Sequence, residues 1–532
     1  MSGDRRDTLR WVAQPMLLLA LVCAAPFLAF YSGNMHEGLG FMDLGVYWLG
    51  LVGTAWAIYW VAFGLMAWIA PVRSFRLSAI WATALILFLA YRSVAAFFLG
   101  LGWSDEGQLA GWFALVGAGV LLAAVFGGRP AFHQFLLLFA VLALLPSLWR
   151  IASWWQALPD QGPGLPLAQA YPLAGNDIWS GQAVRTPNIY WIVSDSYPNA
   201  EQLLAHYGLD NETFLRDLES RGFYVARDAH SNFSNTRLSV PTMLNMEYTF
   251  ETGEEYAVRI GDGWAPKPGR TNSGTVAAIA GDNRSVAFIK QLGYSYVHFE
   301  GRSFALIRCR GYEDVCIASQ SAGFSELELS LLELVPYDLV LQYGLGLPKG
   351  TTPARTRAAS GTGIPELADA ILALEVEGPL FLYAHLSSPH PPFLADENCK
   401  VGALPASRKS LGRNVRCVNR QLLALVDRLQ ASDPDAILIL SADHGPRMTI
   451  KPGTPLFLWG PLQVREALGI LNAFRLPEDC RRGLSPSLTP VNTMRIVFAC
   501  LGGHAPRLLA PKHFVVRGGP PDGGKIRRVT IR

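Results

Sequence analysis

The chain has 532 residues, a formal net charge of +3 and 50% hydrophobic residues. That length exceeds one compact domain, and the near-neutral charge gives no footing for a polyanionic partner such as nucleic acid. The hydrophobic excess lies ahead of Trp155, which excludes an ordinary soluble protein throughout.

Five apolar stretches come first, at 9–31, 44–70, 77–101, 109–126 and 132–155. Each approaches or exceeds the ~20 residues that cross a ~30 Å hydrocarbon core. Charges between them alternate in sign: Arg5, Arg6 and Arg10, then Glu37 and Asp43, then Arg73 and Arg76, then Asp105 and Glu106, then Arg129. Basic loops stay in the cytoplasm, so the amino terminus is expected there, with Arg150 the exception. Five spans put everything after Trp155 outside the cytoplasm. The first stretch also has the basic start of a signal peptide, but no clear cleavage site follows it and four more spans do. Arg92, inside the third stretch, is costly in hydrocarbon; a lipid headgroup and a partner within the bundle are both open readings.

Residues 156–186 are rich in Pro, Gly and Gln and read as a linker. The expected division is therefore 1–155 transmembrane, 156–186 linker and 187–532 extracytoplasmic domain. From Pro187 apolar runs alternate with amphipathic segments. Strands are predicted at 188–193, 223–227 and 294–299, and helices at 212–221, 284–292, 411–429 and 491–501. This alternation predicts an α/β domain with a mostly parallel sheet. The glycine-rich, basic tail from Arg517 reads as solvated.

Six of the seven cysteines follow the last span: Cys309, Cys316, Cys399, Cys417, Cys480 and Cys500. An even number on the oxidising side predicts disulfides, nearest neighbours pairing among about 15 possible connectivities. Cys500 lies in an apolar helical pattern that would also suit a free core thiol.

Three motifs sit just past apolar runs. The run 189–193 ends in Ser194-Asp195-Ser196; 381–384 leads to His385 and then Pro389-His390-Pro391-Pro392; 436–440 ends in Ser441-Ala442-Asp443-His444-Gly445. In open α/β sheets chemistry gathers beyond the carboxyl ends of strands. Carboxylate with imidazole suits a divalent ion such as Zn²⁺ or Mn²⁺. Such an ion can activate a hydroxyl, and Thr236 in Asn235-Thr236-Arg237-Leu238-Ser239-Val240-Pro241 offers one. A helix predicted over 240–246 would present its amino terminus to an anion. The plainer reading, that Thr236 or Ser239 caps this helix, also fits.

From Pro187 to about Gly503 the sequence resembles the alkaline phosphatase/sulfatase superfamily. It is most similar to the membrane-anchored branch of lipoteichoic acid synthases and phosphoethanolamine transferases. The carriers are Pro187-Asn188-Ile189-Tyr190 through Asp195, the Thr236–Pro241 segment, Ser388-Pro389-His390-Pro391-Pro392-Phe393, Asp443-His444-Gly445 and Val491-Asn492-Thr493. The resemblance implies five spans before an extracytoplasmic sulfatase-like domain in a bacterial inner membrane, catalytic side periplasmic. It implies Thr236 as nucleophile and Asp195, Thr236, Asp443 and His444 as metal ligands. It implies His390 as a substrate contact, with His385, His298, Arg237 and Arg447 as weaker candidates.

The arylsulfatase signature for formylglycine is absent, and Ser196 stands where two-metal enzymes have a second Asp. The first departure argues against sulfate-ester hydrolysis and towards phosphodiesters; the second, with Gly453-Thr454-Pro455 where the transferases often carry a His before a Pro, favours one divalent metal over two. The expected reaction moves a phosphoethanolamine or phosphoglycerol headgroup from a membrane phospholipid to an envelope glycan or lipid, through phospho-Thr236. The rivals are a hydrolase or phosphodiesterase of the same fold and an inactive envelope scaffold.

Overall fold

The computed structural model describes residues 2–35, 38–61, 71–157, 166–179, 181–248, 256–258, 275–300, 305–318, 326–332, 334–335, 362–391, 393, 395–401, 404, 407–451, 454–517 and 525–531. Pro392, Gly453 and the linker residues 158–165 and 180 lie outside that set. Two units separate: Met1–Gln156 with Leu327–Thr352, and Ala157–Glu326 with Pro353–Arg532. The sequence division had treated 187–532 as one piece. The described residues 327–332 and 334–335 instead group with the first unit, where Tyr47 Oη donates to Glu328 Oε1 at 3.0 Å.

The first unit is helical. Among the described residues, Ala13–Asn34, Phe41–Tyr59, Glu106–Phe126 and Pro130–Gln156 are long and apolar enough to cross a membrane. A fifth span results if Phe75–Leu89 and Tyr91–Phe98, bent by 56°, are counted together. That bend breaks the third apolar stretch, and Arg92 is exposed just beyond it. Leu18, Cys23, Val52, Ala79 and Leu136 pack inside the unit. Val46, Trp149 and Leu121 point outward, 75%, 75% and 65% exposed. Water would penalise that surface, whereas hydrocarbon is its natural solvent.

In the second unit the strands are β1 (Ile189–Ser194), β2 (Tyr224–Val225), β3 (Tyr256–Val258), β4 (Ser295–Glu300), β5 (Val315–Ala318), β6 (Leu380–Leu386), β7 (Ile437–Ser441), β8 (Asn472–Arg475), β9 (His513–Arg517) and β10 (Lys525–Val529). Seven form one sheet in the order β2-β8-β7-β1-β6-β4-β5. The pairs β1–β6, β1–β7, β4–β6 and β4–β5 are parallel; β8 runs antiparallel to β7 and to β2. Every residue of β1, β6 and β7 is buried, as expected where helices cover both faces. Helices Glu212–Ser220 and Arg408–Ser432 bury Leu215, Leu218, Val415, Leu422 and Leu429 in the same core.

Register matters most for the site. Val193 pairs with His385 on one side and Ser441 on the other. The three central strands therefore end level, and the residues that follow them meet.

A second sheet, β3-β10-β9, is antiparallel. It corrects the solvated reading of the tail, since Lys525–Val529 pairs with β9 and buries Ile526. Disulfides join Cys309 to Cys316, Cys399 to Cys417 and Cys480 to Cys500, and Cys23 is free. Cys500 is thus not a core thiol: helix Thr493–Leu501 presents it to the turn Glu478–Cys480.

Candidate metal centre

Asp195 continues the ladder of β1, its N–H donating to Leu386 O at 2.8 Å. The chain then turns sharply at Ser196, whose φ of 61° is unusual for a residue with a side chain. The turn is held by its surroundings. Ser196 N–H donates to Asp443 Oδ1 at 3.2 Å, and Ser196 Oγ donates to Asp195 Oδ1 at 2.9 Å. Ser196 therefore ties the first motif to the third, a role hidden from a sequence reading that noted only the absent second Asp.

Past β7, Asp443 is fully buried and His444 nearly so. Asp443 Oδ1 accepts from the N–H groups of Ser196 and His444; Oδ2 has no hydrogen-bond partner. His444 Nδ1 lies 2.9 Å from Gly445 O, which orients Nε2. Gly445 permits this packing, since a Cβ there would stand 2.0 Å from Glu466 O.

Thr236 opens the helix Thr236–Asn245, four residues earlier than the sequence pattern predicted. Asn235, rather than Thr236 or Ser239, caps it, accepting from Leu238 N–H at 3.2 Å. Thr236 Oγ1 is left 3.3 Å from His444 Nε2. Ser239 Oγ donates to Asp443 O at 2.5 Å and locks the helix start against the third motif. Asn232 and Ser234 fasten the preceding loop to β9, through Phe514 N–H to Asn232 O and Val516 N–H to Ser234 Oγ, each 2.8 Å. Val491 N–H donates to Asn232 Oδ1 at 3.0 Å, so the Val491-Asn492-Thr493 motif braces this loop.

Asp195, Asp443 and His444 each bring one ligand-type atom within 4.8 Å of the others. His444 Nε2 lies 3.6 Å from Asp195 Oδ1 and 3.5 Å from Asp443 Oδ2. His385 Nε2, buried and without a hydrogen-bond partner, lies 3.8 Å from Asp195 Oδ2 and 3.9 Å from Asp443 Oδ2. These separations are long for hydrogen bonds. A tetrahedral ion with bonds of about 2.0–2.1 Å sets neighbouring ligand atoms about 3.4 Å apart. Two converging carboxylates, two imidazoles and two unpartnered buried atoms fit a cation between them.

Burial works against an ionised Asp195. The charges of His390, His385 and His444 outweigh it and hold the carboxyl well below the usual carboxylate range. Burial likewise pulls His385 down, and Asp195 with Asp443 carries it above its ordinary value.

The other sequence candidates are placed as follows. His390 is half-buried, its Nδ1 2.6 Å from Pro391 O, and it acts electrostatically on Asp195. Arg447 is exposed on the loop after the third motif, near the charges of Asp195 and Asp443. Arg237 is buried in the first turn behind Thr236. Two candidates are corrected. His298 is fully buried in β4, with Nδ1 2.8 Å from Tyr296 Oη and Nε2 2.8 Å from Ile307 O, so neither nitrogen is left for a substrate. His385 stands among the carboxylates rather than at a substrate surface, because β6 carries it inside the sheet.

Residues 357–474 match the sulfatase family model. Over that span the chain is similar to sulfatases. The matched span holds β6, β7 and most of β8 with His385, His390, Asp443 and His444; Asp195 and Thr236 precede it. No curated protein matches the chain. Among solved structures, the periplasmic domain of EcEptC from Escherichia coli in complex with Zn is similar at 12% identity, covering 66% of this chain and 93% of its own, with a TM-score of 0.41. The lipooligosaccharide phosphoethanolamine transferase EptA from Neisseria meningitidis is similar at 11% identity over 93% of this chain and 99% of its own, TM-score 0.41. Phosphonate monoester hydrolase of Agrobacterium radiobacter is similar at 12% identity over 62% of this chain and 80% of its own, TM-score 0.37. All three superpose weakly on this chain.

Proposed function

We propose that this sulfatase-type protein is a phosphotransferase that moves a phospholipid headgroup, phosphoethanolamine or phosphoglycerol, to an acceptor hydroxyl on an envelope glycan or lipid. The observation that carries the reading is Thr236 Oγ1 at a helix amino terminus, 3.3 Å from His444 Nε2, where the buried Asp443 and the part-buried Asp195 carboxylates converge. Asp195, Asp443, His444 and Thr236 would hold the ion, with His385 Nε2 facing the same space. Bound there, a divalent ion such as Zn²⁺ or Mn²⁺ would make the Thr236 hydroxyl more acidic and polarise a phosphoryl oxygen.

The residues account for the rest. Asn235 takes the Leu238 N–H for itself and leaves the first amides of the helix directed at an incoming phosphate. Thr236 loses its proton to water, and its Oγ forms a bond to phosphorus as the bond to the diacylglycerol oxygen breaks. That oxygen takes a proton and departs as diacylglycerol. In the second step the acceptor oxygen bonds to phosphorus as the bond between phosphorus and Thr236 Oγ breaks; the proton that the acceptor gives up to water is balanced by one that water returns to Thr236 Oγ. A carbonyl only accepts, so the His390 Nδ1–H donates a hydrogen bond to Pro391 O, and His390 would meet the substrate through Nε2. Arg447 would steer the anionic diester, being exposed and cationic. The membrane-length helices supply the reason for a lipid donor; counted as five, with the basic amino terminus inside, they support a periplasmic second unit tethered to a bacterial inner membrane.

The family match favours a second reading, in which water is the acceptor and the enzyme is a phosphodiesterase. Full-length protein given headgroup-labelled phosphatidylethanolamine or phosphatidylglycerol, with and without an envelope extract, separates the two. Transfer leaves label on the acceptor and, transiently, on the Thr236 peptide by mass spectrometry; hydrolysis yields only free headgroup phosphate. The substitution Thr236→Ala should abolish turnover while the protein keeps its metal. Undiminished transfer by Thr236→Ala would overturn the mechanism.

A further inference from the structure

The chain between the third motif and helix Pro461–Leu468 carries an apolar projection that the chemistry above does not use. Leu456–Leu458 forms a single tight turn, with Leu458 N–H donating to Pro455 O at 3.0 Å and Trp459 N–H to Leu456 O at 3.1 Å. Leu456 and Trp459 are buried in a small cluster with Val464, Ala467, Leu468 and Val515. Arg527 Nη2 donates to Trp459 O at 3.0 Å and fastens it further. With both ends of the turn anchored, Phe457 and Leu458 are driven outward, 66% and 60% exposed, and Leu462 on the next turn is 63% exposed. Three large apolar side chains exposed within one short stretch of chain make a candidate docking surface.

Charge indicates which partner. Between Asp443 and Glu466 there is no Asp or Glu, while Arg447 and Lys451 are exposed. An apolar tip flanked by cations matches a phospholipid surface, acyl chains below and phosphates above. The same chain carries helices long enough to cross a bilayer, so that surface is always within its tether.

The projection is also joined to the metal centre. Gly445 N–H donates to Ala467 O at 3.0 Å. Glu466, fully buried, accepts from Tyr207 Oη and Thr449 Oγ1 and from Thr449 N–H at 3.1 Å, so the loop bearing Arg447 is pinned to the same helix. Whatever holds the tip positions the third motif.

We propose that Phe457, Leu458 and Leu462 form a lipid anchor that inserts into the phospholipid interface and presents the metal centre to lipid headgroups. The anchoring rests on the membrane tether; its benefit to turnover rests on the phospholipid-donor reading, and the two are measured separately.

The test uses the full-length protein in nanodiscs of phosphatidylethanolamine and phosphatidylglycerol. Nitroxide labels are placed by Phe457→Cys, Leu458→Cys and Leu462→Cys, with Leu204→Cys as an exposed apolar control on the same unit. The three anchor positions should be relaxed by oxygen and shielded from a water-soluble nickel complex, and Leu204→Cys should show the reverse. Nickel accessibility at all three anchor positions would overturn the proposal. So would shielding accompanied by spin–spin broadening between molecules, which would make the occupant a second copy of the chain. In the second arm, Phe457→Ser with Leu458→Ser should raise the KM for bilayer lipid by roughly 10-fold and leave turnover of a soluble short-chain diester unchanged. With the variant's fold verified by circular dichroism, equal loss on both substrates would overturn the anchoring role in catalysis. Lipid contact at the labels together with no activity on either substrate in the parent protein would instead overturn the phospholipid-donor reading and leave the anchor standing.

Discussion

The two units break the usual rule of burial in opposite ways. In the first, Val46, Leu121 and Trp149 face outward; in the second, Asp443, His385 and Glu466 are fully buried. Neither would be stable if its surroundings were those of an ordinary soluble domain. An outward apolar surface is stable when the solvent is hydrocarbon. An inward carboxylate is tolerated when something satisfies it, whether a hydrogen bond, as for Glu466, or a cation, as we propose for Asp443. An apolar exterior thus reports the medium, whereas a polar interior reports the chemistry.

The largest expected effect breaks the polar interior. Asp443→Ala should remove the metal, measured by elemental analysis of purified protein, and lower turnover by about 10³-fold or more. Retained metal with full activity would mean that the buried Asp443 carboxylate serves packing alone. Gly445→Ala tests the support around it. Its Cβ meets Glu466 O, so the third motif must shift, and turnover should fall by about 10²-fold; an unaltered rate would separate the motif from the helix behind it.

Leu121→Lys tests the apolar exterior. A charge there should cost about 2.5–3.5 kcal/mol of membrane insertion, measured as the inserted fraction in a translation–insertion assay. The same replacement at exposed Leu204 in the second unit should cost nothing measurable. The smallest effect concerns pH. Burial lowers His513 to about 4, and His230 beside it is lowered for the same reason. Between about pH 6.5 and 4 the unfolded chain binds more protons than the folded one, so stability rises with pH across that window. Denaturant unfolding of the second unit should therefore show a midpoint that falls as pH drops below 6.5, and His513→Gln should flatten the slope.

Much of the fold was legible because its signals are local. Apolar stretches of membrane length, the buried runs at 189–193 and 436–440, and the amphipathic helix around Val415 and Leu422 each follow from residue order and side-chain period. The bend after Leu89 was not legible, since hydropathy does not register a change of axis. Nor was the strand Lys525–Val529, whose partners β9 and β3 are the reason it is ordered.

The site divides along the same line. Residue order alone determined which side chains end the central strands: Asp195, Asp443 and His444 stand where buried runs stop, and strand ends in such a sheet face one crevice. Tertiary structure decided how they are held and which neighbours count. Parallel register set Val193 level with His385 and Ser441, which put His385 among the carboxylates. The neighbouring strand β4 closed His298 away on Tyr296 and Ile307. Ser196, Ser239 and Glu466 took up their supporting roles through partners 204 or more positions away (Asp443 for the two serines, Tyr207 for the glutamate). No local pattern records such pairs, because a hydrogen bond closes on distance in space and is indifferent to distance along the chain.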